Sequence, residues 1–169
     1  IKIRAGERIM KHFIIITNRP KDPDLEITRR VQELLKLRQA SCSVYADEIP
    51  KEEWKRILLR EGDRTDAILV LGGDGTMLRA ARDTADSQIP MLGINLGTLG
   101  YLTEVEKNGM EDAIDRLVAG SYQVEDRMML CGQIYRQGRM EEENSALNDI
   151  TITRCGHLRM LYFQIYVNG

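Results

Sequence analysis

AILVLGGDGTMLRAAR, at residues 67–82, is the stretch that decides the fold. Its first five residues are apolar at every position, which is typical of a strand covered on both faces of a parallel sheet. Three glycines lie in the turn that follows, and apolar residues return at helical spacing from Met77. Backbone N–H groups in a glycine turn and at a helix N-terminus attract anions. The pattern therefore predicts a phosphate-binding turn at the carboxyl end of a strand.

Around this stretch, strands and helices alternate from residue 10 to residue 120. Continuous apolar runs predict the strands, and apolar residues spaced three or four apart predict the helices. The predicted strands are 12–17, 42–46, 67–71 and 89–95, and the predicted helices are 25–38, 51–61, 77–85 and 110–118. Asp24 is the expected N-cap of the first helix. Such alternation predicts βαβ units and an α/β domain with a parallel, two-sided sheet.

The pattern divides the chain into three parts. Residues 1–9 are polar and basic before Met10, and we expect a non-native or disordered leader. Residues 10–126 form the α/β domain. In residues 127–169 short apolar stretches are broken by glycine, and residues 150–152 and 161–167 show the period of antiparallel strands. We expect an incomplete β-rich domain there, with residues 141–144 as a solvated hairpin tip.

Composition restricts the function. The 169 residues carry a net charge of -2 and include no apolar run of the roughly 20 residues that a membrane-spanning helix needs. We therefore expect no nucleic-acid or membrane partner. The three cysteines have neither disulfide nor zinc spacing, so we expect reduced thiols, a cytoplasmic location and no metal site built from protein side chains.

Asp74 lies in the centre of the glycine turn, where its charge would repel a phosphate. A carboxylate beside a bound triphosphate can instead accept the proton of an attacking hydroxyl and help to hold Mg²⁺. The alternative is that Asp74 only caps the helix that follows. We expect Gly72, Gly73 and Gly75 to adopt positive φ and to let phosphate oxygens approach the backbone.

Three motifs in order resemble the NAD kinase family: GGDGT at 72–76, GINLGTLGYLTE at 93–104 and ALND at 146–149. GGDGT alone is shared with diacylglycerol and sphingosine kinases, whereas the second string is more selective. The resemblance implies a Rossmann-like parallel-sheet domain followed by the start of an antiparallel β-sandwich domain that binds NAD. It implies transfer of the terminal phosphate of ATP, or of polyphosphate, to the adenosine 2′-hydroxyl of NAD. The product is NADP.

The resemblance also implies roles for individual residues. Asp74 corresponds to the catalytic base, Gly72, Gly73, Gly75 and Thr76 surround phosphates, and Asn148 and Asp149 bind NAD. Further candidates are Arg79 for a phosphate, Asn95 and Tyr101 for the nucleotide pocket, and Arg159 near the dinucleotide. The alternatives are solvated charges for both arginines, a loop-shaping role for Asn95 and a core position for Tyr101. Mg²⁺ is expected to be bound mainly through phosphates, and the implied assembly is a homo-dimer or homo-tetramer.

Two other functions are open. A lipid kinase of the diacylglycerol type would keep the chemistry and change the acceptor. It would also need a basic amphipathic surface, which the sequence does not indicate. The second alternative is a catalytically silent nucleotide-binding fragment or regulator. It is considered because the family's next segment, an Asp-Gly followed by a Thr- and Ser-rich stretch, is expected after Gly169.

Overall fold

The computed structural model describes residues 9–97, 100–153, 160 and 162–168. The strands are β1 (His12–Thr17), β2 (Ser41–Tyr45), β3 (Ala67–Gly72), β4 (Met91–Asn95), β5 (Val105–Glu106), β6 (Leu130–Arg136) and β7 (Arg139–Ala146). The α-helices are α1 (Glu26–Leu37), α2 (Lys51–Glu61), α3 (Asp74–Thr84) and α4 (Met110–Ala119). None of the helices in the described part of the chain has the length and apolar composition that a membrane crossing requires.

The first five strands form one parallel sheet in the order β2-β1-β3-β4-β5. Alternate residues of β1 and β3 face opposite sides, so each strand contributes to two cores. Ile15 and Leu69 pack with α1 and α4 on one side, and Ile14 and Ile68 pack with Trp54 of α2 on the other. All four of these sheet residues are at most 1% exposed. The predicted two-sided α/β sheet is therefore confirmed, and a Rossmann-like description fits it.

The strand order places a switch point between β1 and β3. The chain leaves β1 for β2 on one side, then crosses back to β3 on the other side of β1. Loops after β1 and β3 therefore diverge and leave a crevice outside the carboxyl ends of the strands. Ligands of open α/β sheets bind in this position.

Asp22, and not Asp24, caps helix α1. The Asp22 side chain is 4% exposed, and its carboxylate accepts the Ile27 N–H at 3.2 Å, the Thr28 N–H at 2.9 Å and the Thr28 hydroxyl at 2.7 Å. Burial disfavours the charged form, but the hydrogen bonds from Thr28 and the helix N–H groups outweigh it and lower the pKa of Asp22. The prediction was wrong because Leu25, in the left-handed region at φ 54, lets the chain turn back so that an earlier residue reaches the helix.

We expect Asp22→Asn to destabilise the fold by about 2 kcal/mol, since an amide cannot accept all of these hydrogen bonds in a buried position. Because the pKa is lowered in the folded protein, this stabilisation is present above the unfolded pKa of about 3.9 and is lost as the pH falls through the folded value. Urea denaturation at neutral pH checks the magnitude. Asp24→Asn is the control, and an equal loss in both variants would contradict the assignment.

The strands β6 and β7 form an antiparallel hairpin, as expected for the start of a second, β-rich part. Residues 141–144 lie within β7, so the expected hairpin tip there is wrong. Gln137 and Gly138 form the turn, with positive φ at both residues, which is the geometry of a tight hairpin turn. The boundary near residue 126 and the leader at 1–9 stay predictions.

The strands expected beyond residue 149 are absent from the described residues 150–153, 160 and 162–168. Apolar side chains there are exposed, for example Ile152 at 79% and Tyr162 at 84%. A strand is stable only when neighbouring strands satisfy its backbone hydrogen bonds. The alternation of apolar residues was therefore not sufficient evidence for strands in this part of the chain.

Candidate active site

A cavity of about 530 Å³ lies at the switch point, outside the carboxyl ends of β1, β2 and β3. It is lined by the loop 18–21 after β1, by residues 46–48 after β2, by residues 73–76 at the start of α3 and by Arg79. Ligand pockets commonly measure about 300 to 1,000 Å³. The size suits a small polar ligand, and the position is the one that the glycine turn predicted.

Helix α3 begins at Asp74, three residues before the predicted start at Met77. Because residues 74–76 are not apolar, the spacing of apolar residues predicted too late a start for this helix. The N–H groups of Asp74 and Gly75, at the first positions of α3, have no acceptor within the helix and can bind an anion, whereas the Thr76 N–H already donates to the Gly73 carbonyl at 2.9 Å. An acidic side chain is also favourable at a helix N-terminus, because it compensates the positive end of the helix dipole.

Close packing, and not an unusual φ, explains the glycines at positions 72 and 73 of the turn. Positive-φ glycines in the described residues are Gly120 and Gly138, so the expectation of positive φ at Gly72, Gly73 and Gly75 was wrong. Gly73 is extended, with φ -139 and ψ -170. A Cβ at Gly72 would lie 2.4 Å from the Thr76 hydroxyl oxygen, whereas one at Gly75 would meet nothing within 4 Å.

We expect Gly72→Ala and Gly75→Ala to differ in stability. Gly72→Ala forces the buried Thr76 side chain away from its position and should cost about 1 to 3 kcal/mol. Gly75→Ala adds a methyl group in open space within a helix and should stabilise by about 0.5 to 1 kcal/mol. Urea denaturation of both variants measures the difference, and equal midpoints would contradict the packing described for Gly72.

The Asp74 carboxylate connects α3 to the loop after β4. Oδ2 accepts the Tyr101 N–H at 2.8 Å, and Oδ1 accepts the Leu102 N–H at 3.0 Å. The hydrogen bonds from Tyr101 and then Leu102 lower the pKa of Asp74, so the carboxylate is ionised at neutral pH. No side chain caps α3, so the alternative role of Asp74 as the cap of its own helix is not what the structure shows. The neighbouring Thr103 also lowers the pKa of Asp74, so the carboxylate interacts with three consecutive residues of the loop.

Gly100 explains how the carboxylate reaches that loop. A Cβ at Gly100 would lie 2.1 to 2.4 Å from the Asp74 carboxyl atoms, a separation that no side chain can occupy. Glycine is therefore required at this position for the carboxylate to rest against the backbone. The GGDGT and GINLGTLGYL motifs, recognised separately in the sequence, meet at this contact.

Three other predicted residues surround the turn. Thr76 is 4% exposed, and its hydroxyl oxygen accepts the Asn18 amide N–H at 2.9 Å, so it fixes the turn to the loop after β1. Arg79 lines the cavity and pairs with Glu48. Asn95 is 2% exposed; its Oδ1 accepts the Gly97 N–H at 2.8 Å, while its Nδ2 is buried without a partner in the described part of the chain.

The remaining predicted residues do not join the cavity. The Tyr101 side chain is 97% exposed, so the alternative of a core aromatic was wrong. Asn148 and Asp149 are exposed and bond to each other at 3.0 Å, and neither lines the cavity. Arg159 lies outside the described residues.

The sequence analysis missed Asn18 and Lys21, both in the cavity wall. Their loop, NRPKD at 18–22, was treated only as a connection between a strand and a helix. The sequence could have predicted their position, because the loop follows a predicted strand and all loops that follow strands of a parallel sheet lie at the same edge.

Residues 13–122 match the family described as ATP-NAD kinase N-terminal domain. The chain belongs to the NAD kinase family. It is 38% identical to the NAD kinase of Lachnospira eligens and 42% identical to that of Agathobacter rectalis, in each case over 95% of this chain and 56% of the relative. The chain therefore spans about half the length of the curated NAD kinases that it matches.

A solved structure shares the fold of this NAD kinase family member. The crystal structure of yeast NADH kinase complexed with NADH superposes with a TM-score of 0.63 at 18% sequence identity. The match covers 84% of this chain and 48% of the yeast chain. At that identity the likeness concerns the fold alone.

Proposed function

We propose that the protein transfers the terminal phosphate of ATP, or of polyphosphate, to the adenosine 2′-hydroxyl of NAD and so forms NADP. The observation that carries this proposal is the Asp74 carboxylate, ionised and lining a cavity at the switch point of the sheet. Membership of the NAD kinase family supports the choice of acceptor.

The phosphates of the donor would occupy the cavity beside the start of α3. The N–H groups of Asp74 and Gly75 in the first helical turn, next to the extended backbone at Gly73, offer hydrogen bonds to phosphate oxygens. Arg79 would contribute a charge once a phosphate replaces Glu48 as its partner. Phosphoryl transfer depends mainly on such positioning and on charge stabilisation.

Asp74 would act on the acceptor hydroxyl. In the proposed step the 2′-oxygen forms a bond to the terminal phosphorus and the bond from that phosphorus to the bridging oxygen breaks. The hydroxyl proton passes to Asp74, and ADP leaves. A carboxylate with a lowered pKa is a weak base, which suits a loose transition state in which the hydroxyl is oriented first and loses its proton late.

The NAD would approach from the side of the loop at 100–102. We propose that Tyr101, Asn148, Asp149 and Arg159 bind it, and that Asn95 holds the loop in place through its bond to Gly97. The exposed Tyr101 ring suits stacking against a base, and exposed Asn148 and Asp149 have hydrogen-bonding groups to offer. None of these NAD candidates lines the cavity in the described part of the chain; Tyr101 is connected to it through its backbone hydrogen bond to Asp74.

Magnesium would arrive with the nucleotide. The described residues contain no group of three or more His, Cys, Asp or Glu side chains that could hold a metal ion. The protein side chains of this part of the chain therefore do not fit a resident metal site, and a divalent cation would depend on phosphate oxygens. We further propose a cytoplasmic location and a homo-dimeric or homo-tetrameric assembly, which light scattering of the purified natural protein tests.

The test is an assay of NADP formation. The natural protein that carries this sequence is incubated with NAD, ATP and Mg²⁺, and NADP is read through an NADP-specific dehydrogenase. We expect NADP to accumulate with ATP or with polyphosphate as donor. Phosphorylation of diacylglycerol in preference to NAD, or nucleotide binding without any product, would contradict the proposal.

A further inference from the structure

We propose that Lys21 is the cation that binds the phosphate chain of the donor. This inference rests on the proposed function, because it names the group that holds the phosphates in the same cavity. The shared chemistry is a linear chain of phosphates, which ATP and polyphosphate both provide. The comparisons and the motifs of the sequence assign no role to this residue.

The ammonium group of Lys21 lies over the glycine turn. A Cβ placed on Gly73 would be 2.8 Å from the Lys21 Nζ, and one placed on Gly97 would be 3.3 Å from it. The Nζ atom therefore lies close to both the loop after β3 and the loop after β4. Absent side chains at Gly73 and Gly97 give the ammonium room to approach the backbone that would hold the phosphates.

Lys21 has no ion-pair partner among the described residues. Arg19, which also lines the cavity, has none there either, but it is the Lys21 ammonium that lies beside Gly73 and Gly97. Arg79 is paired with Glu48, and the Asp74 carboxylate is occupied by the N–H groups of Tyr101 and Leu102. Lys21 is exposed to solvent in the cavity wall. An ammonium without a counter-ion beside a turn of free N–H groups is a site for a polyanion.

The loop that carries Lys21 is held in place on three sides. The Asn18 N–H donates to the Leu71 carbonyl at 2.8 Å, and the Asn18 amide donates to Thr76 at 2.9 Å. The Lys21 N–H donates to the Asn18 carbonyl at 2.9 Å, and the next residue, Asp22, caps α1. The backbone of Lys21 is thus fixed before any ligand binds, which lowers the entropic cost of binding.

The direct test uses inorganic tripolyphosphate as the probe and calorimetry as the measurement. We expect Lys21→Gln to weaken tripolyphosphate binding about tenfold or more, the effect of losing one hydrogen bond to a charged group. Lys21→Arg should retain binding within about threefold, since it keeps the charge. Lys36→Gln, at an exposed position on α1 away from the cavity, is the control with the same charge change. No binding by the unaltered protein, or equal binding by Lys21→Gln, would overturn the inference.

Steady-state kinetics of the natural protein separates this inference from the proposed function. We expect Lys21→Gln to raise the KM for ATP and for polyphosphate about tenfold and to leave the KM for NAD unchanged. A raised KM for NAD with unchanged donor KM values would overturn the assignment to the donor while leaving the kinase function intact. If no NADP forms but tripolyphosphate binding still depends on Lys21, the proposed function fails and the phosphate site stands.

Discussion

The Asp74→Asn variant is expected to form NADP about 10²- to 10⁴-fold more slowly than the natural protein, which is the usual contribution of a general base. Asparagine has the same shape as aspartate but cannot accept a proton from the 2′-hydroxyl at neutral pH. In the proposed mechanism the carboxylate also orients that hydroxyl toward the donor. Single-turnover measurements at saturating NAD and ATP report the chemical step without the contribution of product release.

Two controls show whether the loss arises from chemistry. Asp63→Asn removes an exposed carboxylate beyond α2 and should leave the rate unchanged. Because an asparagine amide would face one of the two N–H groups that Asp74 now accepts, urea denaturation of Asp74→Asn should accompany the kinetics. A folded Asp74→Asn protein with more than a tenth of the natural rate would argue against Asp74 as the base.

Gly100→Ala is expected to lower the rate by about 10²-fold although it replaces none of the proposed reacting groups. The added methyl carbon would lie within 2.4 Å of the Asp74 carboxyl atoms, so either the carboxylate or the loop must move by an ångström or more. Misplacement on that scale of a group that orients the acceptor is costly in rate. The KM for ATP should change little, since Gly100 does not line the cavity.

Gly109→Ala is the matched control for Gly100→Ala. A Cβ at Gly109 would make an ordinary contact, 3.6 Å from a methyl group of Val105, and its φ of -90 is open to alanine. We expect natural activity in this variant, with at most a small loss of stability because Gly109 is the N-cap of α4. Natural activity in Gly100→Ala as well would mean that the contact between Asp74 and the loop at 100–102 has no role in catalysis.

The parallel sheet could be predicted because its evidence is local. Residues 67–71 are apolar at every position, and in the structure β3 is covered on both faces. The predicted bounds of β1 and α2 agree with the structure for the same reason. β1 is a continuous apolar run that ends at a polar loop, and α2 has helical spacing and ends before a glycine. The start of α3 was missed because its first turn carries no apolar residue.

The errors concern contacts between segments distant in the sequence. Asp22 caps α1 only because Leu25 reverses the chain, and no residue pattern announces that turn. Lys21 was missed because the residues that it approaches, Gly73 and Gly97, follow two other strands of the sheet. Asp74 could be singled out from the sequence, because a carboxylate is unexpected in a turn that is predicted to bind phosphate. Its hydrogen bonds to residues 101 and 102 could be seen only in the structure.

A structure of the natural protein with NAD and a non-hydrolysable ATP analogue tests the central claim most directly. We predict the adenosine 2′-hydroxyl within about 2.6 to 3.2 Å of an Asp74 carboxyl oxygen, with the terminal phosphorus of the analogue beyond that hydroxyl in the cavity. An Asp74 carboxylate bonded only to the Tyr101 and Leu102 N–H groups, with the 2′-hydroxyl oriented by another residue, would contradict the account.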